Sequence, residues 1–411
     1  MALWTASRWR FPAVKDRRKK RFRSSRASLR TSGRTGDPVR EMKILYGLAS
    51  RRLREFSVVP PQCSVSVGAA GIAYALARAA ELTLDSELLW AADAWIGLAE
   101  RRALYTRAFT SSALKITRKG IGFASLSMAE PGLFYVKSII RSHFGDSAEA
   151  NKSIQRFLSI AKRRISRFAD VYLGGLGLAL AAKRLMSCTR SSRLCRDLSR
   201  FSRDALTGAW TTPRANILGN RRYLGFAHGV AGLVFTTYAC GDPRKASPLL
   251  EELRHTGSRL KRGLRWPVHA NSNFFLDGWC NGVAGHLLMW TKVWQHSQDD
   301  KDLEMLDRIA WGVWESGIGL SNLCCGAAGQ AIILASFSSV IDDRRWKVRA
   351  ADFLNVVPPR WSKYEPPQSL FNGELGLLLA RLECRHGTPP RFPVYGEDIS
   401  HAATNRTLPL S

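Results

Sequence analysis

Seven times along this chain a four-residue step bounded by small residues, with glycine at its end, runs straight into an apolar segment. Self-similarity at a fixed period restricts a fold more than any composition does. In order, the steps are Gly68-Ala69-Ala70-Gly71, a degenerate Ala129-Glu130-Pro131-Gly132, Gly174-Gly175-Leu176-Gly177, Gly229-Val230-Ala231-Gly232, Gly282-Val283-Ala284-Gly285, Gly326-Ala327-Ala328-Gly329 and Gly373-Glu374-Leu375-Gly376. They recur every 45 to 60 residues or so, close to the length of two-helix repeats. One Gly-x-x-Gly is a weak signal, but seven in phase are a strong one. The first glycine permits a sharp turn and the second lets a helix start close against its neighbour.

Between the apolar segments lie amphipathic stretches such as DSELLWAADAWIGLAERRALY and DRRWKVRAADFLNVV, which place charges on one helical face. Each repeat therefore predicts one inner and one outer helix, and strands are expected to be minor because few runs alternate with period two. Seven such hairpins predict an all-α fold, an α/α toroid of seven inner and seven outer helices. Closing the ring removes the terminal repeats that an open solenoid must cap. The glycine turns would cluster at one mouth, where chemistry is expected. Enough apolar material is present for so large a core, with 45% hydrophobic residues, 13 Trp and 18 Phe in 411 residues.

The formal charge is +29, and it is uneven: the first 40 residues carry 13 Lys or Arg against Asp16 and Asp37. Residues 1–40 are expected to be a basic, disordered tail, 41–395 the toroid and 396–411 a C-terminal tail. The remaining charge either keeps the body solvated or attracts an acidic peptide or an anionic surface; no nucleic acid is assigned as a partner. The basic cluster at Lys15–Arg21 lacks the apolar stretch of a secretory signal, and no run of 18 apolar residues would span a membrane. A cytoplasmic protein with reduced thiols is expected.

Eight cysteines over this length make no disulfide framework. Cys63, Cys188, Cys195, Cys240 and Cys384 have no spacing partner and read as ordinary buried or incidentally exposed residues. Cys280, in Gly278-Trp279-Cys280-Asn281-Gly282, and the adjacent Cys324-Cys325 differ, because they stand at the turns of consecutive repeats. There distant parts of a ring could converge on a metal.

These motifs resemble the lanthionine synthetase C-like (LanC) cyclase family across residues 61 to 390. The resemblance rests on Asp170-Val171-Tyr172-Leu173-Gly174-Gly175-Leu176-Gly177, Ala227-His228-Gly229-Val230-Ala231-Gly232, Trp279-Cys280-Asn281-Gly282, Leu323-Cys324-Cys325-Gly326 and Ser369-Leu370-Phe371-Asn372-Gly373-Glu374-Leu375-Gly376. It implies an α,α-toroid holding one Zn2+ ion, which cyclises a dehydrated precursor peptide by adding Cys thiols to dehydroalanine or dehydrobutyrine. The implied zinc ligands are Cys280, Cys324 and Cys325. Stand-alone members usually have His in the last position, and the Cys-Cys-Gly form found in related synthetase domains makes this a three-cysteine site. An Arg and a Tyr common near the first zinc cysteine are here Leu276 and Asn281, so substrate positioning is expected to differ.

A catalytic zinc keeps one coordination position free, and three sulfurs leave one for a substrate thiol. Thiolates near a helix start are favoured as anions. Addition of a thiol to an alkene needs a base for the thiol and an acid for the enolate carbon; His228 is the candidate for both. Asp170 either orients His228 or caps a helix. His286 reads as packing or support for the site, with a replacement-ligand role as the alternative, and Trp279 and Trp290 read as core. A separate dehydratase would supply the substrate, since the chain beside the toroid has no room for one. Two alternatives stand beside the cyclase: addition of glutathione to dehydrated residues, and a zinc-stabilised scaffold that binds peptides without catalysis.

Overall fold

The computed structural model describes residues 38–50, 58–117, 124–163, 169–211, 223–317, 319–356, 366–386 and 388–396. Most of the tail expected over 1–40, and all of the one over 396–411 apart from Gly396, lie outside these residues. The chain enters with helix α1 (Pro38–Ser50) and then pairs an apolar helix with an amphipathic one. The pairs are α2 (Ala69–Thr83) with α3 (Ser86–Arg102), α4 (Glu130–His143) with α5 (Ser147–Arg163), and α6 (Gly175–Leu185) with α7 (Ser192–Thr211). They continue with α8 (Val230–Cys240) and α9 (Ser247–Thr256), α10 (Val283–Ser297) and α11 (Asp300–Ser316), and α12 (Ala327–Ile341) and α13 (Arg344–Val356), before a last apolar helix, α14 (Glu374–Arg385). Among the described residues the only strands are β1 (Ser258–Leu260) and β2 (Gly263–Arg265), an antiparallel hairpin between α9 and α10.

A helix that is apolar all round must be enclosed on every side. In α12 every residue from Ala327 to Ser338 is buried. Helix α5 instead buries one stripe, Ala150, Ser153, Ile154, Phe157, Leu158, Ile160 and Ala161, at helical spacing. The seven enclosed helices pack each on the next, and α14 packs back on α2, so the inner layer closes into a barrel. Across that closure the guanidinium of Arg78 on α2 grips Glu383 on α14 at 2.5 and 2.9 Å, both side chains buried. The outer layer closes differently. Its seventh member is α1, from the start of the chain, which packs on α2 and α3. There the Glu41 carboxylate receives Arg381 and Arg385 of α14.

The turns show why glycine recurs. At the first position the backbone is extended, with φ between −101° and −156° at the six glycines, and Ala129 sits there with φ −130°. A left-handed turn is not what this position requires. The second position is stricter: a Cβ on Gly285 would lie 2.2 Å from the Trp279 carbonyl oxygen, and all seven second glycines face a carbonyl oxygen at 1.9–2.2 Å. No side chain fits.

This close approach brings the turns into one main-chain ring. The Tyr172 N–H donates to Ala227 O (3.2 Å), Ala227 to Cys280 (2.7 Å), Cys280 to Cys324 (3.3 Å), Cys324 to Phe371 (2.9 Å), Phe371 to Ser66 (3.2 Å) and Ser66 to Ser127 (2.9 Å). Every one of these residues stands two before the first position of its repeat step. Ser125 Oγ closes the circle by donating to Tyr172 O at 2.7 Å.

Beneath the ring the barrel is filled by aromatic side chains. Trp279 is fully buried and stacks between Phe392 (centroids 4.9 Å, 25°) and Tyr395 (5.2 Å, 18°). These two come from the segment after α14, which turns inward: Val394 N–H donates to Tyr74 Oη at 3.0 Å, and Tyr395 Oη bonds Ser127 Oγ. This segment thus floors the mouth.

Replacing Gly285 by Ala drives a methyl group into backbone, and the expected loss is about 3 kcal/mol or more. Gly208→Ala in α7 meets open space and is expected to stabilise by about 0.5–1 kcal/mol. Chemical denaturation of the two variants measures the difference; equal midpoints would remove the close-approach account.

Candidate metal centre

One further register in each turn serves the mouth. Four residues before the first position of the step stand Ser64, Ser125, Asp170, Gly225, Gly278, Asn322 and Ser369. Where a side chain exists, its oxygen accepts the N–H three residues on: Val67 from Ser64 (3.3 Å), Met128 from Ser125 (3.0 Å), Leu173 from Asp170 (2.6 Å), Cys325 from Asn322 (2.9 Å) and Asn372 from Ser369 (3.1 Å). These are side-chain caps of the Asx and Ser type.

At Gly225 and Gly278 the cap is missing and the space is used. A Cβ on Gly278 would stand 2.4 Å from Cys325 Cα, and one on Gly225 would stand 2.4 Å from Asn281 Cα and Oδ1. Two glycines outside the repeat step therefore let Cys325 and Asn281 come close to the neighbouring turn. Neither stood out in the sequence. Aligning the seven turns by phase exposes them, because they interrupt a column of Ser, Asp and Asn.

The three cysteines meet at this point. Cys325 Sγ lies 3.4 Å from both Cys280 Sγ and Cys324 Sγ, and all three sulfurs fall within 4.8 Å of one another. Sulfurs on a tetrahedral zinc at about 2.3 Å are separated by about 3.8 Å, so the donor set fits such an ion with small adjustments. It is the only group of three or more potential ligands among the described residues. The charges are already uneven. Hydrogen bonds from Cys324 and Cys325, outweighing burial and helped by His228 and the Asn281 N–H, hold Cys280 well below the ordinary thiol range. Cys324, hydrogen-bonded to Cys280 and Cys325 and buried, is pushed well above it.

Beside the sulfurs, His228 Nδ1 meets Asp170 Oδ2 at 2.8 Å. The other oxygen of the same carboxylate caps Leu173, so both sequence readings of Asp170, cap and orienting group, describe one buried side chain. Burial lowers the His228 pKa, but Asp170 and then Cys280 oppose it and the net shift is upward. With Nδ1 engaged, Nε2 is left for proton exchange. The ring of Tyr172 stands edge-on to His228 (5.8 Å) and its hydroxyl bonds Ser66 Oγ across the mouth at 2.5 Å. Tyr172 lies within the Asp170–Gly177 motif, where nothing in the sequence marks this role.

His286 does not join the sulfurs. It stacks on Trp266 at 4.3 Å and 14°, and burial pushes its pKa down to about 3, which is the packing role. Trp279 and Trp290 are fully buried core residues.

The pattern that defines lanthionine synthetase C-like proteins matches residues 59–396. The chain belongs to the lanthionine synthetase C-like family. Among solved structures, one titled nisin cyclase superposes with a TM-score of 0.65 at 14% sequence identity, covering 87% of this chain and 96% of that one. At that identity the likeness is one of fold, and it agrees with the closed double ring of helices described above. No helix among the described residues is long and apolar enough to cross a membrane.

Two variants separate the parts of this LanC-like site. Cys325→Ala should weaken zinc binding by more than about a hundredfold, since loss of an outer-sphere contact alone costs 10–100-fold; metal content per chain measures it, and full retention would sink the three-sulfur assignment. Asp170→Asn keeps an oxygen for the Leu173 cap and removes the negative charge. The His228 pKa should therefore fall, because burial pushes it down and only Cys280 then opposes it. An NMR titration of the imidazole, moving down and not up, is the expected result.

Proposed function

We propose that this protein is a zinc-dependent lanthionine-forming cyclase, adding peptide Cys thiols to dehydroalanine or dehydrobutyrine in a precursor peptide dehydrated by a separate enzyme. The observation that carries this reading is the juxtaposition of three sulfurs within 4.8 Å and the His228–Asp170 pair on adjoining turns of one mouth. Family membership gives it a reaction class.

Cys280, Cys324 and Cys325 would hold the zinc, which when bound supplies a Lewis-acid position that lowers the pKa of a fourth sulfur. The protein's own groups do the rest. His228 Nε2 accepts the thiol proton as the substrate sulfur becomes nucleophilic. Asp170 keeps the imidazole in the tautomer that exposes Nε2 and stabilises the imidazolium that forms. The same proton then goes to the α-carbon after the carbon–sulfur bond has formed, so one residue serves both steps without net proton exchange. The aromatic floor of Trp279, Phe392 and Tyr395 closes the mouth from below, which confines the peptide to the rim.

Incubating the zinc-loaded protein with a dehydrated, Cys-containing peptide tests the reading. Rings formed without added thiol, detected as loss of alkylatable cysteine by mass spectrometry, are the expected outcome. Adducts formed only when glutathione is supplied would favour glutathione transfer, and neither product would favour a non-catalytic scaffold. His228→Ala should lower kcat by about 10²–10⁴ while metal content stays at the wild-type level.

A further inference from the structure

The residues just before the first position of each repeat step form the rim, and the ring order is Val67, Met128, Leu173, His228, Asn281, Cys325, Asn372. Three consecutive turns present apolar side chains, with Ile116 packed on Met128 and with Leu114, Tyr172 and Leu173 around them. Four consecutive turns present polar or sulfur groups. Within that polar arc, His228 carries the proton and Cys325 belongs to the sulfurs. Two carboxamides remain, and they bracket Cys325.

Neither has an internal task. Asn281 Oδ1 is buried against Gly225 without a hydrogen-bond partner, so it faces the protein. Its amide nitrogen, the donor, makes no hydrogen bond to a described residue, the residue is only partly buried, and its own N–H is committed to Cys280. The Asn372 side chain, half-buried, makes no hydrogen bond to a described residue, while its N–H is capped by Ser369. Carboxamides elsewhere near these turns are used: Asn322 caps Cys325, and Gln330 donates to Ser316 Oγ and Gly317 O. Leaving a buried amide group unpaired costs about 1–3 kcal/mol. The site adds to that by giving up the cap at Gly225, whose missing side chain makes the room Asn281 occupies.

A peptide group is the ligand that a carboxamide pair matches, since each can both donate and accept. The cyclase reaction, on whose assignment this inference rests, brings such a group to the rim with a special need. As the substrate sulfur bonds to the β-carbon, the alkene electron pair moves to the α-carbon–carbonyl bond and the carbonyl pair moves onto oxygen. Reprotonation of the α-carbon by His228 restores the carbonyl. A hydrogen bond to that oxygen is stronger in the transition state than before it, and one such donor is worth about 10²–10³ in rate.

We propose that Asn281 and Asn372 form a subsite for the peptide group of the unsaturated residue, Asn281 donating to its carbonyl oxygen as charge gathers there and Asn372 holding the adjoining backbone. Asn281 is then a catalytic residue and Asn372 a binding one.

Two measurements on the full-length, zinc-loaded protein test it. In single-turnover cyclisation, Asn281→Ala should lower the rate by about 10²–10³ with little change in KM, Asn281→Ser should recover part of the loss by restoring a donor, and Asn372→Ala should act chiefly on KM. Metal content should stay at the wild-type value in all three, and no melting temperature should fall, that of Asn281→Ala rising because it removes a buried unpaired amide oxygen. In equilibrium binding, a dehydrated peptide with every Cys replaced by Ala should bind the Asn281→Ala, Asn372→Ala double variant more weakly than wild type by about tenfold or more, as expected for two lost hydrogen bonds. Unchanged rates and binding, or losses that track loss of zinc or of folding, would overturn the subsite. A wild-type protein that closes no rings but binds the dehydrated peptide through these two residues would sink the cyclase reading and leave the subsite standing.

Discussion

Everything at the mouth depends on one contact repeated seven times, a carbonyl oxygen lying where the second glycine of each step has no side chain. It fixes how far each inner helix is set back from its turn and makes the seven turns geometrically equivalent. Equivalence is what allows a main-chain ring. Turn backbone lying deep between packed helices must find hydrogen-bond partners, and here each turn finds them in the next one. A side chain at the second position would not only clash locally; it would move one link and strain its two neighbours. With the frame so constrained, chemical difference between turns can enter only through the residues placed at equivalent registers.

The candidate metal centre is a local departure from that regularity. Five turns secure themselves with a side-chain cap, and the two that do not, at Gly225 and Gly278, are those against which Asn281 and Cys325 lie. Each lost cap forgoes about 1 kcal/mol of local stability. The loss is tolerable because the ring and the helices behind it determine these turns without the cap. Sites commonly break the rules that the rest of a fold obeys. The buried Arg78–Glu383 pair and the stacked aromatic side chains hold the barrel through contacts of their own, so the rim can differ without loosening it.

The helical toroid was legible because its signal is periodic: enclosed and amphipathic helices alternate, and glycine steps separate them. The meeting of Cys280, Cys324 and Cys325, and of His228 with Asp170, followed from their places on that period together with the family resemblance. What escaped was whatever depends on contacts across the ring. Phe392 and Tyr395 fall within the bounds expected for the toroid, but nothing local marks them as core, since they follow the last helix and share no helical period. Tyr172 reaches Ser66 over 106 positions of sequence, a distance at which no pattern predicts contact. Among the described residues the seventh outer helix comes from before the first repeat, because closing a ring requires an outer partner at the seam and does not specify which side of the repeats supplies it.

The electrostatic consequence of the architecture reaches beyond any one residue. All seven inner helices begin at the mouth, so their N-terminal ends converge there, each equivalent to roughly half a positive charge. Part of this is spent internally, as the first N–H groups of α8, α10 and α12 donate to Tyr223, Leu276 and Leu320 carbonyls of their own turns. The remainder favours negative charge anywhere at the mouth, as at the Asp170 carboxylate and at Cys280, whose pKa is held low. A field shared by seven turns cannot choose among positions. That choice falls to the rim residues, apolar at Val67, Met128 and Leu173 and polar from His228 to Asn372. A chain with the same helices but a different rim would keep the preference for anions and lose the place where it is used.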